Sequence, residues 1–317
     1  MTRDEFLKSC SSLALGSVFC TASAKGGLTA AINAQSTNNS ISCFGDSLTA
    51  GAGGVPYSKF LQEAFPSKSI KTFGLGGQNA EQIACRQGGL SIYVTVENNS
   101  FAGLNEIGVT HISTPFLSTK ASSNTFESAG SIGGVRCTMI RTASGPLNNL
   151  TEKYTLKPLS QSSARIDPDS VFAPADSSGT RDDFQILWLG RNDVPRLETV
   201  MGVIDSCINH ISTPRRFILL GILNGLKETR GTEIHRVIND FNENLKLKYP
   251  DNYVSVGPPD QNEILALNFS PTEEDRITMA LGAIPGSLRS DNTHLNVQGY
   301  RLVANRILSF FKNTSFH

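Results

Sequence analysis

Ile41-Ser42-Cys43-Phe44-Gly45-Asp46-Ser47-Leu48-Thr49-Ala50-Gly51 is a short apolar run that breaks into Gly-Asp-Ser-Leu and a glycine-rich loop. The run reads as a buried strand. A strand that stops at a small residue and turns sharply leaves the next side chain at the carboxyl edge of its sheet, where open α/β sheets bind ligands. Ser47 is therefore the first candidate nucleophile, and the chain must supply its partners.

Outward from this stretch the text alternates between strand and helix. Residues 57–65 carry Tyr57, Phe60, Leu61 and Ala64 at helical spacing, and Pro66 stops them. Residues 69–73 read as a second strand, followed by Gly74-Leu75-Gly76-Gly77-Gln78-Asn79 and a helix over 80–86. This rhythm predicts right-handed crossovers and a parallel sheet. It resumes at Phe184-Gln185-Ile186-Leu187-Trp188-Leu189, a continuous apolar run suited to a central strand, which ends in Gly190-Arg191-Asn192-Asp193. A helix near 197–211, a strand over 216–221, a helix over 232–249 and a short strand at 253–256 follow. A mostly polar loop region then leads to Ser290-Asp291-Asn292-Thr293-His294, and a last helix spans about 297–311.

Between the two α/β segments, residues 87–183 change character. β-Branched runs at 91–96, 108–112, 136–140 and 153–156 alternate with turn residues and predict a small antiparallel β-rich subdomain inserted into the α/β domain. The expected organisation is residues 40–86 and 184–317 for the α/β domain and 87–183 for the insertion. Residues 1–24 read as a secretory signal peptide, with Arg3 and Lys8 before an apolar core and Ala22-Ser23-Ala24 as its cleavage site; 25–39 read as a linker. Export to the periplasm or outside is the expectation, with no membrane-spanning segment after cleavage. Cleavage would leave Cys43, Cys85, Cys137 and Cys207. They contain no Cys-x-x-Cys pair, which argues against zinc, and their spacing dictates no disulfide pairing.

The 28 basic residues balance 28 acidic ones, which argues against nucleic acid or an anionic membrane as the main partner. A serine hydroxyl needs an adjacent base, itself oriented by a third group. His294, three residues after Asp291 in a loop before the final helix, is the candidate base and Asp291 its orienting carboxylate. His111, His210, His235 and His317 fall in the insertion, on helices or at the terminus and read as structural. The chemistry also needs donors for a developing oxyanion. Gly77 and Asn192, on two other strand-end loops, and the backbone N–H of Ser47 are the candidates.

These four loops together resemble the SGNH (also called GDSL) hydrolase family: Gly45-Asp46-Ser47-Leu48, Gly77, Gly190-x-Asn192-Asp193 and Asp291-x-x-His294 match its blocks in order. The resemblance covers residues 40–86 and 184–312 and leaves the insertion unexplained. It implies a three-layer, flavodoxin-like parallel sheet and no cofactor. It makes Ser47 the nucleophile, His294 the base and Asp291 its orienting partner, with the N–H groups of Ser47 and Gly77 and the Asn192 amide around the oxyanion. Arg191 stands at a variable position of the third block and is a substrate-contact candidate. The Gly-x-Ser-x-Gly elbow of the α/β-hydrolase fold is absent, since Thr49 stands where its second glycine should be. The expected activity is carboxylic ester hydrolysis through an acyl-enzyme. Within it, O-deacetylation of a glycan is favoured because the insertion is rich in Ser, Thr, Asn and Gly. A lipase- or thioesterase-like acyl hydrolase and a non-catalytic carbohydrate-binding protein on the same scaffold are the alternatives.

Overall fold

A computed structural model describes residues 39–314, other than Leu104 and Asn148. The signal-peptide reading of 1–24, the linker reading up to 38 and His317 lie outside the described residues. Five strands form the parallel sheet: β1 (Ser40–Gly45), β2 (Ser69–Gly74), β9 (Phe184–Trp188), β10 (Phe217–Leu220) and β11 (Tyr253–Val254). Strands β3 to β8, which lie between β2 and β9 in the chain, build a separate barrel. The order across the sheet is β11-β10-β9-β1-β2, and every neighbouring pair is parallel. Counted along the chain this is 2-1-3-4-5, the flavodoxin-like order, with its reversal between β1 and β9.

Alternation of side chains across the pleat gives the sheet two cores. Ile41 and Cys43 of β1, Ile186 and Trp188 of β9, and Ile218 and Leu220 of β10 face one side. There they pack with α2 (Tyr57–Ala64) and α9 (Val297–Asn313), through Phe60, Leu61, Tyr300, Val303 and Ile307. Phe44, Leu187, Phe217 and Leu219 face the other side, against α3 (Ala80–Gln87), α5 (Val200–His210) and α6 (Glu233–Lys248). Burying each such aliphatic or aromatic side chain stabilises the fold by about 1.5–3 kcal/mol, which is why the strands read as nearly unbroken apolar runs. Three short helices complete the set: α1 (Ser47–Ala50), α4 (Ala175–Gly179) and α7 (Gln261–Ala266), with the eight-residue α8 (Glu273–Ala280) after them. Helices α7 and α8 occupy the stretch that the sequence pattern leaves as a polar loop.

The insertion is a closed barrel. Strands β3 (Ile92–Val96), β4 (Ile107–Ile112), β5 (Phe126–Ile132), β6 (Val135–Ser144), β7 (Thr151–Pro158) and β8 (Ser170–Pro174) run in the order β3-β4-β7-β6-β5-β8. All its pairs are antiparallel, and β8 closes on β3 through Ile92, Tyr93 and Val94. Its interior is filled by side chains such as Val94, Ile132, Met139, Leu156 and Phe172, so it is a packed core.

Candidate active site

Strand β1 delivers Ser47 to the carboxyl end of the sheet, beside the point where the strand order reverses. Gly45 makes the turn sterically feasible: a Cβ there would lie 2.7 Å from the Trp188 carbonyl oxygen and 2.8 Å from Thr49 Cβ. Asp46 then caps α1, its Oδ1 accepting from the Leu48 N–H at 2.8 Å. Ser47 is the first residue of that single helical turn, and it is partly exposed while its neighbours Asp46 and Leu48 are buried.

The loop before α9 brings the base. Ser290 N–H donates to the His294 carbonyl at 3.1 Å, and Arg289 bridges Leu295, so residues 290–294 form a tight loop. Asp291 Oδ1 accepts from the N–H groups of Thr293 and His294, both at 2.7 Å. Its other oxygen, Oδ2, is 2.7 Å from His294 Nδ1, and His294 Nε2 is 2.9 Å from Ser47 Oγ. Partial desolvation of the half-exposed Asp291 carboxyl pulls it up. The His294 backbone N–H, the imidazole and the Thr293 N–H together outweigh this and hold it at about 2. Asp291 is therefore an anion across the neutral range, suited to orient an imidazole and to stabilise its protonated form.

Arg289 anchors this loop from behind. Its buried guanidinium donates to the carbonyls of Ile284 at 2.9 Å, Asn224 at 2.6 Å, Asn292 at 3.3 Å and Thr293 at 3.4 Å. Burial, helped by the nearby Arg191 cation, pulls it down to about 10 against the opposing pull of Glu228 and Asp291. Arg191 itself makes a bidentate pair with Glu228, both bonds at 2.7 Å, and donates to the Leu223 carbonyl at 3.1 Å. The residue read as a substrate contact thus has both terminal nitrogens engaged in the wall of the site.

The oxyanion candidates come from the loops that follow β1, β2 and β9. Gly77 has φ +76°, a left-handed conformation that favours glycine. Among the described residues its N–H has no acceptor within the protein. Asn192 departs from the simple expectation of a waiting donor. Its amide nitrogen donates to Asp46 Oδ2 at 3.1 Å and to the Gln78 carbonyl at 2.9 Å, which occupies both of its N–H groups. Asp46 is buried, and burial lifts its carboxyl to about 6 despite the Leu48 N–H and the charges of His294 and Arg191. Asp193 Oδ2 accepts the Ala80 N–H at 2.9 Å and ties the loop after β9 to the start of α3. Arg86 draws the same region together, donating to the carbonyls of Phe73 at 2.8 Å and Gly45 at 2.9 Å and to Gln78 Oε1 at 2.7 Å.

Other candidate nucleophiles and bases are poorly placed. The four described cysteines are free and buried, and burial pushes the Cys43 and Cys85 thiols up to about 12, so they carry no thiolate near neutrality. His210 Nε2 meets the Ser177 carbonyl at 3.1 Å, His235 meets Asn239, and His111 is exposed on β4. Among the described residues no cluster of three or more His, Cys, Asp or Glu could hold a metal ion, and no helix is long and apolar enough to cross a membrane. Sequence reasoning missed Arg289, Arg86, Gln78 and the barrel residues that reach the site. Gln82 alone left a signal, as the third residue of a capping box with Asn79.

No protein-family model matches the chain. A "Tail spike protein" of Salmonella phage epsilon15 is 28% identical over 145 residues, which are 45% of this chain and 13% of that protein. The chain thus matches a small part of that relative's length. Among solved structures, a member of the lipolytic protein G-D-S-L family from Veillonella parvula DSM 2008 is similar at a TM-score of 0.44 and 14% identity. That likeness covers 86% of this chain and 98% of the other.

Proposed function

We propose that the chain is a serine hydrolase of carboxylic esters that works through an acyl-enzyme. The observation that carries this reading is the continuous relay from Ser47 Oγ to His294 Nε2 at 2.9 Å and from His294 Nδ1 to Asp291 Oδ2 at 2.7 Å. Such a relay activates a hydroxyl that is otherwise a poor nucleophile. Ser47 Oγ attacks the ester carbonyl while His294 Nε2 takes its proton. The resulting oxyanion is met by the N–H groups of Gly77 and Ser47, and by Asn192 once its amide shares or exchanges a bond now made to Asp46 or Gln78. The imidazolium returns the proton to the departing alcohol, leaving acyl-Ser47. Water activated by the same imidazole then releases the acid.

Within this class we favour removal of short acyl groups, acetyl above all, from a carbohydrate. The barrel segment beside the nucleophile, Ser118-Thr119-Lys120-Ala121-Ser122-Ser123-Asn124-Thr125, is polar and mostly exposed, a lining that suits a hydrated carbohydrate better than a long acyl chain. Purified protein is expected to release p-nitrophenol from its acetate ester faster than from longer acyl esters, and acetate from acetylated glycans. Activity should vanish in Ser47→Ala and His294→Ala. Full activity in either variant would sink the mechanism, and preference for long acyl chains would replace deacetylation with a lipase-like reading.

A further inference from the structure

The barrel enters the site through the segment 113–125, which joins β4 to β5. Gln78 Nε2 donates to the Phe116 carbonyl at 2.6 Å and the Ser118 carbonyl at 3.3 Å, while Gln82 Nε2 donates to those of Pro115 at 3.0 Å and Ser118 at 3.2 Å. At the tip, the Thr119 hydroxyl donates to the Gly76 carbonyl oxygen, and Thr119 Oγ1 accepts the Ala121 N–H at 3.0 Å. A Cβ built on Gly76 would lie 3.6 Å from both Ser47 Cβ and Ala121 Cβ, so this part of the barrel borders the nucleophile itself.

We propose that Thr119 is a positioning residue for the oxyanion hole, and hence that the inserted barrel is a working part of the hydrolase site. The inference rests on the ester-hydrolase reading above. The 76–77 peptide is trans, so its carbonyl and its N–H point in opposite directions within one rigid plane. Fixing the Gly76 carbonyl toward Thr119 turns the Gly77 N–H away from that hydroxyl, and leaves it without a protein acceptor, as a donor to an oxyanion on Ser47 has to be. A peptide flanked by two glycines is the least restrained unit a loop can contain, so its plane has to be set from outside. Thr119 can do so because it is itself held. Arg141, fully buried in β6, donates to the carbonyls of Thr119 at 3.3 Å, Ser122 at 3.2 Å and Asn124 at 2.8 Å. Glu152 of β7 balances that charge and also accepts the Ser118 hydroxyl. The chain of support runs from two barrel strands, through one partly buried ion pair and one hydroxyl, to the amide of Gly77.

The test is steady-state kinetics of Thr119→Val and Thr119→Ser on p-nitrophenyl acetate. An oxyanion donor acts on the transition state, and deleting one typically costs 10²–10³ in kcat. Letting one drift should lower kcat roughly tenfold or more, with KM and the pH profile little changed, because His294 is untouched. Thr119→Ser keeps the hydroxyl and should restore most of the rate. Should Thr119→Val lack the wild-type thermal transition, Thr119→Cys is read in its place, since a thiol of similar size donates only weakly. Wild-type kcat in whichever of these two is read, or a Thr119→Ser variant as impaired as it, would overturn the role of Thr119. An inactive wild-type protein, or a fully active Ser47→Ala, would instead overturn the hydrolase reading on which it rests.

Discussion

At the scale of single residues, the site sets two carboxylates in opposite electrostatic settings. Asp291 is exposed and surrounded by donors, and it is held at about 2. Its folded value lies below its unfolded one. Any stability it lends is therefore present above about pH 4 and lost as the pH falls toward 2. Asp46 is buried with one N–H and one amide as partners, and desolvation lifts it to about 6. Here the sign reverses: folding favours the protonated form, so the protein gives up stability as the pH rises from about 4 to 6, and the full cost persists above that. Asp46→Asn removes this dependence. The stability of the variant relative to wild type should rise between pH 4 and 6 and level off above, measured by urea denaturation across pH. A pH-independent difference would show that burial of the Asp46 charge is not costly. Ser47, Asp291 and His294 were legible because each stands in a short block whose local text marks a strand end or a pre-helical loop. Asp46's partner Asn192 and Thr119's partner Gly76 are separated by 146 and 43 residues, and no local pattern announces such pairs.

At the scale of elements, arginines stitch the loops that the strands and helices leave behind. Arg86 joins the ends of β1 and β2, Arg141 shapes the barrel's 118–124 turn, and Arg289 holds the histidine loop. Each donates mainly to backbone carbonyls, which spend their hydrogen-bonding capacity without any partner readable from side-chain patterns. Arg289→Met would strand the carbonyls of Asn224 and Ile284 in the interior. It should destabilise the protein by roughly 3 kcal/mol and lower kcat more than it raises KM, as the imidazole loses its bearing on Ser47. Arg289→Lys should recover only part, because an ammonium cannot span four carbonyls held in a planar fork. Equal stability in Arg289→Met and wild type would contradict this anchoring role. Helices α7 and α8 went unread because few of their side chains are buried. Their caps were nonetheless in plain text: Asp260-x-x-Glu263 and Thr272-x-x-Asp275 are both reciprocal capping boxes. Strand β5, Phe126-Glu127-Ser128-Ala129-Gly130-Ser131-Ile132, hid for a different reason. Its small residues have little strand preference, and its place is set by pairing along its whole length with residues 135–141 of β6.

At the scale of the whole molecule, the parallel sheet was legible because fully buried strands must be apolar on both faces, and the strand–helix rhythm fixes their direction. Closure of the insertion into a six-stranded barrel was not, since the pairing of β8 with β3 and β5 depends on contacts far apart in the chain. Among the described residues, sheet and barrel belong to one compact unit. The polar ties from Gln78, Gln82 and Gly76 to the 115–119 segment predict that they unfold together. Trp188, the single tryptophan, is buried in the sheet and reports on it alone, whereas far-ultraviolet circular dichroism senses both parts. The two signals should give one coincident urea transition; a second transition seen only by circular dichroism would make the barrel an independent body. The central claim, that this assembly exists to activate Ser47, is tested most directly on the intact protein with an organophosphonate reagent, followed by mass measurement and peptide mapping. One adduct, on Ser47, formed by the wild type and not by His294→Ala, is the expected result. No adduct, or an adduct on any other residue, would contradict it.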